Sequence, residues 1–559
     1  MPKPPQNQQN GRPRIRVSAV QPIRALLWLA VLLLALLPGC NQSRVNHEPG
    51  TVNFIIESSP TNLDPRVGTD AQSEHLDGLI FNSLVAHDSQ MNITPDLAES
   101  WDQPNPLTYV FHLRHGVKFH DGRPFTSADV KFTFDSILSG AVKSVKRGGS
   151  FSLVESIDAP DEFTVVFHLR EAYASFLWSI TRPAIGIVPQ GSDKNFGQHP
   201  IGTGPFEFVS MVPDDSIVLD RNPEYFGDGS AKASANAAAT TTTPAAPPSP
   251  DPATQGSLIK RLRIRIVPDA IVRALELRKG TADISAVNSL TPDTDVALAK
   301  QPGIIVDQQP GTTFQYISIN FDDPVLAHRE VRQALAYGTD RESLVKYLLR
   351  GQARLASTLL PPGNWAYDPT TRQYNFDPAR AEQLLDAAGF ARRADGMRFH
   401  LQLKTSTDES TRLLAEAIAE QWRKIGIALD LRPLENATFL SDISHGSFQL
   451  YALRWVGVNN DPDGFDFVFN SKKMPPNGAD RGHYRNPALD ALLGQERVET
   501  DVAKRKIIFS QIQQIVAEDE PYINLWFQDN VCAHQARVTG IVLPPAGDLD
   551  FLVQARLQQ

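Results

Sequence analysis

Residues 397–431 read MRFHLQLKTSTDESTRLLAEAIAEQWRKIGIALDL, and this stretch decides the fold class. Phe399, Leu401 and Leu403 alternate with polar residues, the period of a half-buried strand. Leu414, Ala417, Ile418, Gln421, Trp422 and Ile425 then fall at helical spacing, and Gly426 supplies a stop. Ile427, Leu429 and Leu431 alternate again. Strand, helix and strand in that order form a βαβ crossover, which places the two strands parallel and is almost always right-handed. Just upstream, Asp377 caps a helix with Pro378 in its first turn. Ala381, Leu384, Leu385 and Ala388 form its apolar face, and Gly389 ends it.

The same alternation extends outward. Leu107, Tyr109, Phe111 and Leu113 make a strand, His115-Gly116 and Asp121-Gly122 make turns, and Thr126 with Asp129 forms a capping box before a helix through Val130, Phe134 and Ile137. Helices and strands alternate through most of the chain, so the class is α/β, or mixed α+β. At 559 residues the chain is long enough for several domains. With 41% apolar and 21% charged residues it is neither collagen-like nor wholly disordered. A net charge of −9 excludes a dominant nucleic-acid-tracking surface.

The N-terminal 39 residues carry Lys3, Arg12, Arg14, Arg16 and Arg24 and no acid, followed by the apolar run Ala25 to Leu37. That run is too short to span a ~30 Å hydrocarbon core and has the parts of a secretory signal. It closes on Leu37-Pro38-Gly39-Cys40, which resembles a bacterial lipobox with Pro38 off the usual pattern. The expectation is a signal peptide over 1–39, lipidation of Cys40 and a tether over 40–50. Cleavage removes five positive charges and takes the formal charge from −9 to −14. Cys532 is then the one remaining free thiol, so no intramolecular disulfide can form.

From Ala231 to Gln255 the chain is almost entirely Ala, Thr, Pro and Ser, with no large apolar residue to offset ordering entropy. It lies between a strand at Ser216 to Leu219 and another where Leu262, Ile264 and Ile266 alternate with Arg261, Arg263 and Arg265. A disordered insertion between neighbouring strands is expected, with the arginine face solvated. No nucleophile elbow, phosphate loop or zinc-protease helix is present. His112, His115 and His120 form the one histidine cluster, and no carboxylate or cysteine completes a metal-ligand set.

The ordered segments resemble the peptide/oligopeptide/nickel group (family 5) of extracellular solute-binding proteins that serve ABC importers. The match runs from about Thr51 to about Leu552. Its most specific block is Pro95-Asp96-Leu97-Ala98-Glu99-Ser100-Trp101, continuing through Thr108 to Arg114, Phe119-His120-Asp121-Gly122 and Phe125 to Val130. Asn62 to Pro65, Ile201 to Phe206, Arg221 to Phe226, Val331 to Leu335 with Asp340-Arg341, and Trp455 with Asp461-Pro462-Asp463 follow in order.

The resemblance implies a two-lobed periplasmic-binding-protein clamp. The first lobe would cover 51–311, with an extra subdomain at about 90–185 and the insert at 231–255. The second lobe would cover 312–500, and 501–559 would return to the first. Closure on a solute requires no covalent chemistry and no cofactor, so no enzyme is expected. The implied partners are a peptide or other small solute, ABC permease and ATPase subunits, and the membrane through Cys40. Nucleic acid is not among them, and the chain is expected to act as a monomer in the bacterial cell envelope. A ligand-sensing lipoprotein and a secreted hydrolase are the alternative functions.

The family's pocket maps onto Thr69, Asp70 and Gln72, onto Thr203 and Gly204, onto Phe314 and Tyr316, and onto Trp455, Val458, Asn459, Asn460 and Asp461. Peptide-binding members carry an aspartate three residues after this tryptophan, where it meets the peptide ammonium. This chain has Val458. The departure implies either another acid, such as Asp70, or a solute without an ammonium: a sugar, a metal chelate or a modified peptide.

Overall fold

The structure, a computed structural model, describes residues 48–68, 70–147, 150–181, 185–228, 257–457 and 460–558. Cys40, Thr69, Val458, Asn459 and the insert 231–255 lie outside the described residues. An eleven-stranded mixed sheet runs through Pro49–Gln559. At one end it has Ile427–Leu434, Phe399–Ser406 and Leu450–Trp455. At the other it has Thr51–Ile56, Arg261–Ile266, Ser216–Arg221 and Phe206–Val212.

Two long antiparallel strands, Ile304–Ile319 and Tyr522–Gln535, join the two ends. Their ladder is interrupted between Gln309 and Thr313. Pro310 has no N–H to give there, and Gly311 has no side chain. A Cβ on Gly311 would stand 2.4 Å from the Gln528 carbonyl oxygen, so the strands can cross closely only with glycine at that point. The break divides the long strands into halves that serve different hydrophobic clusters.

The βαβ unit forms as the alternation dictates. Phe399–Ser406 pairs in parallel with Ile427–Leu434, Phe399 opposite Ile427, and the helix Glu409–Lys424 crosses over. It buries Leu414, Ile418 and Trp422 against Leu401, Leu403 and Leu450. The helix Pro378–Ala387 begins at the Asp377 cap and adds Ala381, Leu384 and Leu385 to that cluster.

A four-stranded antiparallel sheet, Ala98–Asn105, Thr108–Leu113, Thr164–Leu169 and Val154–Asp161 in spatial order, builds a separate core. The helix Ser127–Leu138 covers it, opened by the Thr126/Asp129 capping box. Phe111, Phe134, Phe167 and Phe176 interlock at its centre, with ring centroids 5.0–5.6 Å apart.

The return of the chain at Asp501 takes a different route from the expected one. The helix Val502–Asp519 packs Phe509, Ile512 and Val516 with Phe439, Tyr451 and Phe465 of the preceding segment. Only the later part of Tyr522–Gln535 reaches the first half, where Ala533 joins Ile55 and Leu277. The apolar face of Val502–Asp519 matches its sequence neighbours, so it stays with them.

Ser216–Arg221 pairs antiparallel with Arg261–Ile266, Asp220 opposite Arg261, so the insert leaves and re-enters at adjacent strands. The arginine face is largely ion-paired: Arg261 meets Asp220, and Arg265 meets Glu276. Deleting 231–255 is therefore expected to change the melting temperature by no more than about two degrees, because closure entropy varies slowly with loop length. Thermal denaturation of the deletion checks this, and a loss of ten degrees would show the tract to be structural.

One buried acid sets a pH dependence. Asp295 is 4% exposed and receives one long hydrogen bond, from Gln352 at 3.4 Å. Burial pushes its carboxyl up to about 7. A raised folded pKa penalises the fold above about 7, and the penalty fades as pH falls towards the unfolded value near 4. Asp295→Asn is expected to stabilise the protein at pH 8 by up to ~4 kcal/mol and to have little effect near pH 4. Denaturant melts at the two pH values test the sign.

Candidate functional site

A cleft of about 470 Å³ opens between the antiparallel-sheet half and the segment after Trp455. One side carries Ala71, Glu74 and His75 from the helix Ala71–Ile80, with His87 and the Tyr173–Thr181 segment. The other carries Val456, Gly457, Asn460, Asp461, Asp463 and Phe467, and Ala546 and Asp548 close one end.

Four carboxylates line this cleft, Glu74, Asp461, Asp463 and Asp548, and among the described residues no lysine or arginine does. Burial raises the Glu74 carboxyl, partly offset by Lys146. Burial also lowers the His75 imidazole, which keeps it neutral at ordinary pH. His87 stacks on Trp178 at 5.3 Å and approaches Asp548 at 3.6 Å, forming a flat platform with an acid at its edge.

The two sides are latched. Tyr173 Oη donates to Asp463 at 2.8 Å, and Ser175 Oγ donates to Asp461 at 2.8 Å. Within the second of these sides, Asn364 steadies the loop by donating to the Asn460 carbonyl at 2.9 Å. Burial, then the neighbouring Asp463, pushes the Asp461 carboxyl up to about 6. Behind the latch Arg505 pairs with the fully buried Glu496 at 2.9 Å and donates to Ser175 Oγ at 3.1 Å. Arg497 lies over the Tyr173 ring at 5.0 Å and binds Glu171 at 2.9 Å.

Of the residues expected at the pocket, Asn460 and Asp461 line the cleft. Asp70 does not, because its carboxylate is spent capping the helix Ala71–Ile80. Burial raises its carboxyl, but the bonds it accepts from the Ser73 and Thr61 hydroxyls and from Ser73 N together outweigh that and hold it low. Gln72 is buried and donates to Glu57 at 2.9 Å. Thr203 is buried and donates to Asn82 at 3.1 Å. Gly204 donates to the Ile80 carbonyl at 2.9 Å, so close that a Cβ would sit 2.5 Å from the Ile80 carbonyl carbon. Phe314 and Tyr316 are fully buried, and Trp455 stacks on Tyr316 at 5.8 Å behind the cleft wall.

The histidine cluster is dispersed. His112 pairs with Asp102 at 3.0 Å on the surface. Burial pushes His120 down to about 4, so it accepts from Gly202 N and donates to the Gly204 carbonyl. Among the described residues no group of three potential ligands can hold a metal ion. The Cys532 thiol is buried and donates to the Ser285 carbonyl.

Two sheet ends joined by a pair of long strands, with a latched cleft where the halves meet, define a solute-binding protein of the periplasmic-binding class. Residues 92–474 match the model for bacterial extracellular solute-binding proteins, family 5, and the chain belongs to that family. It is a binding protein and not an enzyme. It is 29% identical over 501 residues to di/tripeptide-binding protein 1 of Pseudomonas aeruginosa, covering 84% of this chain and 87% of that one. It is 26% identical to heme-binding protein A of Haemophilus influenzae, covering 94% and 97%. The crystal structure of NikA from Brucella suis in complex with Fe(III)-EDTA matches with a TM-score of 0.78 at 23% identity, covering 91% of this chain and all of that one.

Proposed function

We propose that this protein is the solute receptor of an ABC importer and that it captures a small amine-bearing solute of the short-peptide class by closing its two lobes. The observation that carries this reading is that four carboxylates and, among the described residues, no lysine or arginine line the cleft, its cations Lys146, Arg497 and Arg505 lying behind the walls. A buried ammonium is costly without a counter-charge, and a carboxylate-lined cleft supplies one. Val458 removes the acid expected after Trp455, and Asp70 is committed to its helix cap. Glu74 on one side and Asp461 on the other take over the role. The relatives named for di- and tripeptides support the same class. Opening is assigned to the broken ladder at Pro310-Gly311, and the Tyr173 and Ser175 contacts are assigned to the closed form.

Calorimetry with a pool of tripeptides and the same pool N-acetylated tests the reading. The free-amine pool is expected to bind ten- to a hundredfold more tightly, the effect of one charge-assisted hydrogen bond. Equal binding of the two pools would remove the cleft acids from recognition. Anchoring through Cys40 belongs to the same proposal. Cys40→Ser is expected to abolish lipid labelling of the expressed protein, and unchanged labelling would rule the anchor out.

A further inference from the structure

The latch across the cleft rests on two carboxyl groups that face each other. Asp463 accepts from the Tyr173 hydroxyl through Oδ2. Glu496, at the end of the helix Pro487–Glu496, accepts from Arg505 Nη2 through Oε2 at 2.9 Å. The other two oxygens, Asp463 Oδ1 and Glu496 Oε1, are buried, and among the described residues no N–H or O–H group donates to either. The two side chains are each other's hydrogen-bond partners. Ionised carboxylates only accept, so the contact requires a hydrogen between them.

The neighbouring charges are already engaged. Arg505 divides its Nη2 between Glu496 and Ser175. Arg497 serves Glu171 at 2.9 Å and Asp466 at 3.7 Å, and Lys473 also acts on Asp466. Asp461 accepts from Asp463 N at 2.7 Å and adds negative charge beside the pair. Burial pushes the Tyr109 hydroxyl near Arg505 up to about 12, so it stays neutral. A bridging water would donate to both oxygens but leave two anions in contact around Glu496, which is fully buried. Like charges this close do not both ionise, and the two groups titrate as one unit. Burial and then Asp463 raise the Glu496 carboxyl well above its ordinary range, in keeping with a retained proton.

We propose that Asp463 and Glu496 share one proton and that this proton holds the lobes closed. Tyr173 and Ser175 engage the loop while the pair carries a single negative charge, and loss of the proton to solvent opens the latch. The inference rests on the lobe-closure reading and deepens it. Opening exposes Asp463 to water, where both carboxyls can ionise. The closed form therefore binds the proton more tightly, and closure is favoured at low pH and fades as pH rises past the raised value of the pair.

Glu496→Gln tests this, because its amide places a permanent N–H donor where the shared proton sits and leaves its carbonyl to accept from Arg505. Calorimetry with a tripeptide pool compares the native mature chain with this variant at pH 6 and pH 9. The solute amine titrates at about 8 and Asp461 at about 6, but both are common to the two proteins. The ratio of the native dissociation constant to that of the variant is expected to rise about tenfold between the two pH values, the effect of holding the proton about tenfold more tightly in the closed form. Asp463→Asn supplies the donor from the other side and should give the same rise if Glu496→Gln does not fold. A ratio that stays constant overturns the shared proton and leaves the receptor reading intact. If the pool binds neither protein, the peptide reading fails by itself, and the latch is judged without solute by small-angle X-ray scattering. A native radius of gyration that grows from pH 6 to pH 9 while Glu496→Gln stays compact supports it. Identical profiles for the two proteins overturn it.

Discussion

Arg505→Met is expected to lower the melting temperature by roughly three to five degrees, the result of breaking a buried ion pair, which costs about 3–5 kcal/mol when one partner is lost. Arg505 and Glu496 are 8% and 0% exposed and 2.9 Å apart. Methionine fills the space between Trp365 and Phe509, where the guanidinium now lies, so packing is largely kept. What remains is a carboxylate with no cation, whose pKa burial and then the neighbouring Asp463 already push upward against the lowering effect of Arg505. The deficit should therefore shrink as pH falls and Glu496 takes up a proton. Arg505→Met with Glu496→Gln should recover most of the loss, since an apolar–neutral pair replaces a stranded charge. A single variant as stable as the native protein, or a double variant no better than the single, would contradict this account of the latch.

The second large effect is on affinity. Tyr173→Phe removes one hydroxyl, the donor to Asp463 at 2.8 Å. A hydrogen bond to a charged acceptor contributes on the order of 1.5–3 kcal/mol, and here it favours only the closed form. Losing it shifts the population towards open, and apparent affinity falls with the fraction able to bind. A ten- to hundredfold weaker dissociation constant for the tripeptide pool is expected, with a melting temperature close to native because the ring stays in place beneath Arg497. Unchanged affinity measured by calorimetry would place Tyr173 outside the closing motion.

The elements most legible in the sequence are those whose information is local. Alternation over three residues and helical spacing over twelve were enough for the crossover at Phe399–Leu434, and the Thr126/Asp129 box stood where the helix Ser127–Leu138 begins. The hairpin around the insert followed from two alternating runs. The helix Val502–Asp519 shows the limit. Its cap at Asp501 was readable, but which half it packs on depends on partners such as Phe439 and Phe465, which no spacing reveals.

The cleft was legible only along the Asn460-Asp461 segment. Tyr173 meets Asp463 across 290 residues, and Ser175 meets Asp461 across 286, so no motif links them. Glu74 and His75 sit on an unremarkable helix turn. Asp70 carried a signal that pointed the other way, since an aspartate three residues before a serine at a helix start is a cap. Thr203 and Gly204 answer to close packing against Ile80 and Asn82, a demand that leaves the same small-residue pattern as a binding loop.

The proposed receptor holds a small amine-bearing solute between its halves. Native mass spectrometry of the mature chain, purified from its own cell envelope without denaturation, tests it most directly. One small molecule per chain is expected, with a mass that shifts on treatment with an amine-acetylating reagent after release. Chains carrying no small molecule, and taking none up from a tripeptide pool, would contradict it.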